Sequence, residues 1–115
     1  MKENNMDLDN LTLGQIKSLK SLFGDVGNAE HPFEVGKLYL IRTVTMYYIG
    51  KLEWVGNMEI RLSSASWIAD CGRFHDALST GTLSEVEPFT DDVIIGRGSI
   101  VDATVWKFES PRGQK

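Results

Sequence analysis

Two segments rich in β-branched and aromatic residues, Tyr39 to Leu62 and Asp92 to Val101, constrain this chain more than any other feature. Over 37–49, Leu38, Leu40, Arg42, Val44, Met46 and Tyr48 alternate with Tyr39, Ile41, Thr43, Thr45, Tyr47 and Ile49. Successive side chains of a strand point to opposite faces, so one long strand here would present two largely apolar surfaces. A sheet built on it needs a core on one side and a helix or a neighbouring subunit on the other.

The pattern continues as a sheet. Lys51 to Val55 extends the strand, Gly56-Asn57 supplies a turn, and Met58 to Leu62 returns with Met58, Ile60 and Leu62 on one face, which is the signature of a hairpin. Val93 to Ile95 and Ile100 to Trp106 read as two further strands around Gly96-Arg97-Gly98. Residues 63–91 are expected to form a long insertion between the third and fourth strands, with a helical turn or two around 73–79. Long connections in compact domains are commonly functional, and Trp67, Phe74, Leu78 and Phe89 point to a packed one.

Ahead of the sheet, Thr12 and Gln15 have capping-box spacing, and Leu13, Ile16, Leu19, Leu22 and Phe23 recur at helical intervals before Gly24. A short amphipathic helix over 12–23 is expected. A helix of this length is marginal alone in water, so it must lie against its own domain or a partner. Residues 1–10 are expected to be a flexible N-terminus, 11–108 a single domain, and 109–115 a polar C-terminal tail.

Composition narrows the function classes. The chain has 115 residues, enough for one modest core, and its 42% hydrophobic and 24% charged fractions are those of a folded domain rather than a disordered one. The formal net charge is −4 and the twelve Lys and Arg residues are scattered. Binding driven by phosphate neutralisation normally carries a dense basic footprint, so that mode is disfavoured. No apolar run reaches the roughly 18 to 20 residues that span a bilayer, and Met1 to Asp7 is polar; no membrane partner and an intracellular location are expected. The single Cys71 cannot form an internal disulfide.

The residues that could carry chemistry do not assemble into a motif. Gly96-Arg-Gly-Ser-Ile-Val101 begins like a dinucleotide fingerprint, but Val101 holds the third glycine position. Cys71 and His75, four apart beside Asp70 and Asp76, sketch a thiol nucleophile with its base or half a metal site. A structural zinc site wants four ligands, and the second histidine, His31, is isolated. Glu85, Glu87, Asp91 and Asp92 lack calcium-loop spacing and read as a solvated loop. Tyr39, Tyr47, Tyr48 and Trp54 could stack nucleic-acid bases, but without interleaved basic residues they read as core or interface. No catalytic residue, metal or cofactor is assigned, and a Cys71-dependent enzyme remains the distant alternative.

Gly50-Lys-Leu52, with Val55 and the following Met58, Ile60 and Leu62, resembles the first motif of Sm-like proteins, and Arg97-Gly98 between Val93–Ile95 and Ile100-Val101 resembles the second. The resemblance covers roughly residues 38–104. It implies a mainly β fold, a small Sm-like or SH3-like barrel preceded by a short α-helix, and a ring or other homo-oligomer as the working form. It also raises a single-stranded RNA partner, with Arg97, Asn57 and Lys51 as the binding residues. Where RNA-binding members carry a base-contacting Asn, this chain has Glu59, and the Asp ahead of the turn is missing. A carboxylate there repels phosphates, so self-assembly is expected ahead of base recognition.

The combination of Ile41 to Met46, Trp67 to Asp70, Gly72-Arg-Phe74, Glu85 to Phe89 and Gly96-Arg-Gly98 also resembles small bacteriophage-encoded proteins. It implies a phage or mobile-element origin and the cytoplasm of a bacterial host cell. The expected function is therefore non-enzymatic assembly, with an RNA-binding ring as the alternative.

Overall fold

A computed structural model describes residues 31–115. Contacts divide the chain into two units, Met1–Pro32 and Phe33–Lys115. The expected helix over 12–23 and the expected flexible N-terminus lie outside the described residues.

The second unit is mainly β. Its elements are β1 (Leu38–Thr43), β2 (Tyr47–Val55), β3 (Glu59–Asp70), α1 (Phe74–Thr80), β4 (Glu85–Pro88), β5 (Val93–Gly96), a 3₁₀ turn (Arg97–Ser99) and β6 (Ile100–Val105). One antiparallel sheet of six strands runs in the order β4-β3-β2-β1-β6, with β5 also on β3. β3 serves two partners along one edge: Glu59 to Leu62 face β5, while Ser66 to Asp70 face β4. The 3₁₀ turn alone carries the chain from β5, beside β3, to β6, beside β1. Three residues span at most about 11 Å, so the sheet must curl strongly to bring its strands within that reach.

Two bulges supply the bend. Ser64 and Ala65 together oppose Gly50, with Ser64 at φ 47°, and β2 carries an extra residue between Leu52 and Trp54. A bulge kinks its strand and increases the local twist. It also resets the alternation of faces. Leu52 and Val55 point into one core while Trp54, which an unbroken strand would place beside Leu52, is exposed.

Each face of the sheet has its own core. Tyr39, Ile41, Leu52, Ile60, Leu62, Ala65 and Ile95 fill one. Leu40, Ile49, Ile68, Ala77, Leu83, Val86 and Trp106 form the other, with α1 lying over it through Ala77, Phe74 and Leu78. Full burial of one such aliphatic side chain stabilises by about 1.5–3 kcal/mol. The two apolar faces expected of the first strand are therefore both used within the chain.

Three expectations change. The long strand over 37–49 breaks at Val44–Met46, where the chain reverses between β1 and β2. Thr43 makes that turn: its amide and Oγ1 donate to the Met46 carbonyl at 2.8 and 2.9 Å, and Oγ1 accepts the Met46 amide at 2.9 Å. The reversal exchanges faces, so Ile49 packs with Leu40 rather than with Tyr39 and Ile41. Secondly, residues 63–70, expected in the insertion, continue β3, because β4 pairs with them; the excursion begins after Asp70 and contains both α1 and β4.

Thirdly, residues 109–115 are docked. Lys115 exchanges backbone hydrogen bonds with Val86, and Ser66 Oγ donates to the Pro111 carbonyl. Arg112 donates to the carbonyls of Ala65 and Phe89. These bonds tie the tail to β4 and to the backbone beside the β3 bulge, where the Ala65 carbonyl also accepts the Phe89 amide at 2.9 Å.

Candidate functional site

The 3₁₀ turn lies where both hairpin turns meet. The Arg97 amide donates to the Met58 carbonyl at 2.7 Å and Arg97 Nη1 to the Gly56 carbonyl at 2.6 Å. From the same turn, the Ser99 carbonyl accepts the Val44 amide at 3.0 Å. Arg97 and the Gly56–Met58 turn that holds Asn57 are thus brought together. Lys51 is not with them. It sits on β2 opposite Leu38 and Ser63, with Nζ 4.0 Å from Glu53, whose carboxylate also accepts Ser63 Oγ. Glu59 stands across from Gly96, next to Arg97.

The indole of Trp54 lies over Gly56, where an added Cβ would stand 2.3 Å from the ring. Glycine at position 56 therefore seats the tryptophan on the same turn that Arg97 grips.

Across the sheet, Arg42 on β1 faces Asp102 on β6. Arg42 Nε donates to Asp102 Oδ1 at 2.7 Å, and Nη2 donates to Oδ2. The guanidinium lies 4.8 Å from the Phe74 ring centre and 5.8 Å from that of Tyr47. Its hydrogen bonds to Asp102 hold the guanidinium above its ordinary range and the carboxyl below the usual carboxylate range. A cleft of about 440 Å³ opens beside this group between Thr43, Val44 and Val101.

A second cleft, about 310 Å³, lies between the β1–β2 turn and the end of β3. Met46, Tyr47, Trp67, Ile68, Asp70 and Cys71 are among the residues that line it. Sequence reasoning placed Trp67 and Cys71 in the insertion and did not join them to Met46. The pairing Tyr48 with Trp67 does so, and it depends on the bulge at Ser64–Ala65.

Cys71 Sγ is 3.3 Å from the Gly72 carbonyl, and no hydrogen bond joins it to the His75 imidazole among the described residues. Among those residues no group of three or more His, Cys, Asp or Glu is placed to share a metal ion. No described helix is long and apolar enough to cross a membrane.

The outer edges of β5 and β6 pair with no other strand among the described residues. Ile94 on β5 is 66% exposed and Val101 on β6 61%. No protein-family model, curated protein or solved structure matches this chain.

Proposed function

We propose that this protein is a non-enzymatic assembly protein of phage or mobile-element origin, a small Sm-like or SH3-like barrel that works as a ring or other homo-oligomer. The observation that carries this reading is the pair of open strand edges with exposed aliphatic side chains, Ile94 on β5 and Val101 on β6. Unpaired strand edges offer a row of backbone donors and acceptors, and proteins normally cover or blunt them. A second copy covers both if β5 of one chain pairs with β6 of the next. The barrel reading rests on the 3₁₀ turn, which carries the chain from a strand on β3 to a strand on β1.

Size-exclusion chromatography with light scattering tests the assembly. A multiple of the 12.9 kDa chain mass is expected, and a clean monomer at working concentration overturns the reading. Val101→Lys places a charge on the open edge and should lower the mass, while circular dichroism reports whether the fold survives.

The alternative, an RNA-binding ring, is favoured by one observation: Arg97 hydrogen-bonds to the Gly56–Met58 turn that holds Asn57. Its test is binding of U-rich and A-rich oligonucleotides at low salt. Binding that falls with salt and with Arg97→Ala supports it, and no binding removes it.

A further inference from the structure

We propose that the cleft between Met46 and Asp70 receives an arginine side chain from a partner polypeptide. This inference does not depend on the oligomer.

The walls are apolar and aromatic. Trp67 is 38% exposed and Met46 39%, so both present apolar surface to the cleft they line. At about 310 Å³ the space is at the lower end of the roughly 300–1,000 Å³ typical of small-ligand pockets, suited to one side chain. One lining residue is acidic, Asp70. Asp70 Oδ1 accepts the Gly72 amide at 2.8 Å, and Oδ2 accepts no hydrogen bond among the described residues. Among the described residues no Lys or Arg lines the space. Two further carboxylates stand on the neighbouring strand, Glu85 across from Asp70 and Glu87 across from Trp67.

An apolar stem ending in a cation meets both demands. The indole attracts a cation to its face, and the carboxylate completes a charge-assisted hydrogen bond. A guanidinium suits the site better than an ammonium, because it is planar, stacks on aromatic rings and is less strongly hydrated. The protein holds one such group already: Arg42 lies against Tyr47 and Phe74 while donating twice to Asp102. The Trp67 cleft repeats that combination of aromatic wall and carboxylate.

The test is an NMR titration of the full chain with N-acetyl-arginine amide, with the lysine and citrulline amides in parallel. Citrulline keeps the shape of arginine without its charge. Saturable shifts of the Trp67 indole N–H and of the amides of 69–71 are expected, with the buried Trp106 indole unmoved. Citrulline should bind at least about tenfold more weakly, the equivalent of about 1.4 kcal/mol for the lost charged contact. Asp70→Asn keeps an acceptor for the Gly72 amide and should weaken arginine binding by a similar factor, while Trp67→Phe should retain part of it. No saturable shift, equal response to citrulline, binding of lysine as tight as arginine, or shifts unaffected by Asp70→Asn would each overturn the proposal.

Discussion

Gly50 on β2 lies directly against Ala65 on β3, so closely that a Cβ at Gly50 would stand 2.8 Å from the Ala65 Cβ and 3.1 Å from its Cα. Ala65 reaches that position because the bulge at Ser64 inserts a residue opposite Gly50. The glycine is therefore fixed by the approach of a neighbouring strand, and both residues lie in the interior of the fold.

Gly50→Ala should cost about 1–3 kcal/mol, the usual penalty for forcing extra volume into a packed core. Urea denaturation measures it. Combining the change with Ala65→Gly should recover part of the loss, and a fully additive double mutant would show that the two sites do not share the space.

The Arg42–Asp102 pair sets an acid dependence. Hydrogen bonds from Arg42 hold Asp102 below the usual carboxylate range, against the smaller opposing effect of burial. A carboxyl with a depressed folded pKa adds stability above its unfolded value near 3.9, and that stability is lost as pH falls through the lower folded value. The thermal midpoint of the native protein should therefore fall below about pH 4. Asp102→Asn should lower the midpoint at neutral pH and flatten this acidic limb. An unchanged limb would show that other carboxylates govern it.

Thr43→Val should loosen the β1–β2 turn by about 1–2 kcal/mol, because the Met46 amide loses its acceptor while the side-chain volume is kept. Thr43→Ser retains the oxygen and should retain most of the stability. Denaturant midpoints of the two variants distinguish the hydrogen bond from the packing of the methyl group.

Arg97→Ala removes the donor to the Gly56 carbonyl and should cost about 1 kcal/mol. Asn57→Ala and Lys51→Ala should change stability by no more than about 0.5 kcal/mol, as exposed substitutions usually do. A neutral Arg97→Ala would mean that the guanidinium does not hold the turns together.

Much of the strand pattern was legible because it is local. Alternating apolar residues around Gly56-Asn57 mark the β2–β3 hairpin, and the runs at 93–95 and 100–106 correspond to β5 and β6. The helical turn expected around 73–79 matches α1. The meeting of Arg97 with the Gly56–Met58 turn depends on the pairing of β5 with β3, which no local pattern carries. The Trp67 cleft was not legible, since Met46 and Trp67 meet through a register that a bulge determines.

By itself, the sequence determined that the runs around 38–43, 47–55, 59–62, 93–96 and 100–105 become strands, where the Gly56-Asn57 turn falls, and that both faces of the first strand need covering. These follow from alternation and turn chemistry within a few residues. Tertiary structure decided what covers them. The reversal at Val44–Met46 depends on hydrogen bonds across the hairpin, and the extension of β3 to Asp70 on pairing with β4. The docking of 109–115 depends on Arg112 reaching the Ala65 and Phe89 carbonyls and on Lys115 pairing with Val86. The last two depend on groups finding partners distant in sequence, and a period of two along the chain carries no information about where those partners lie.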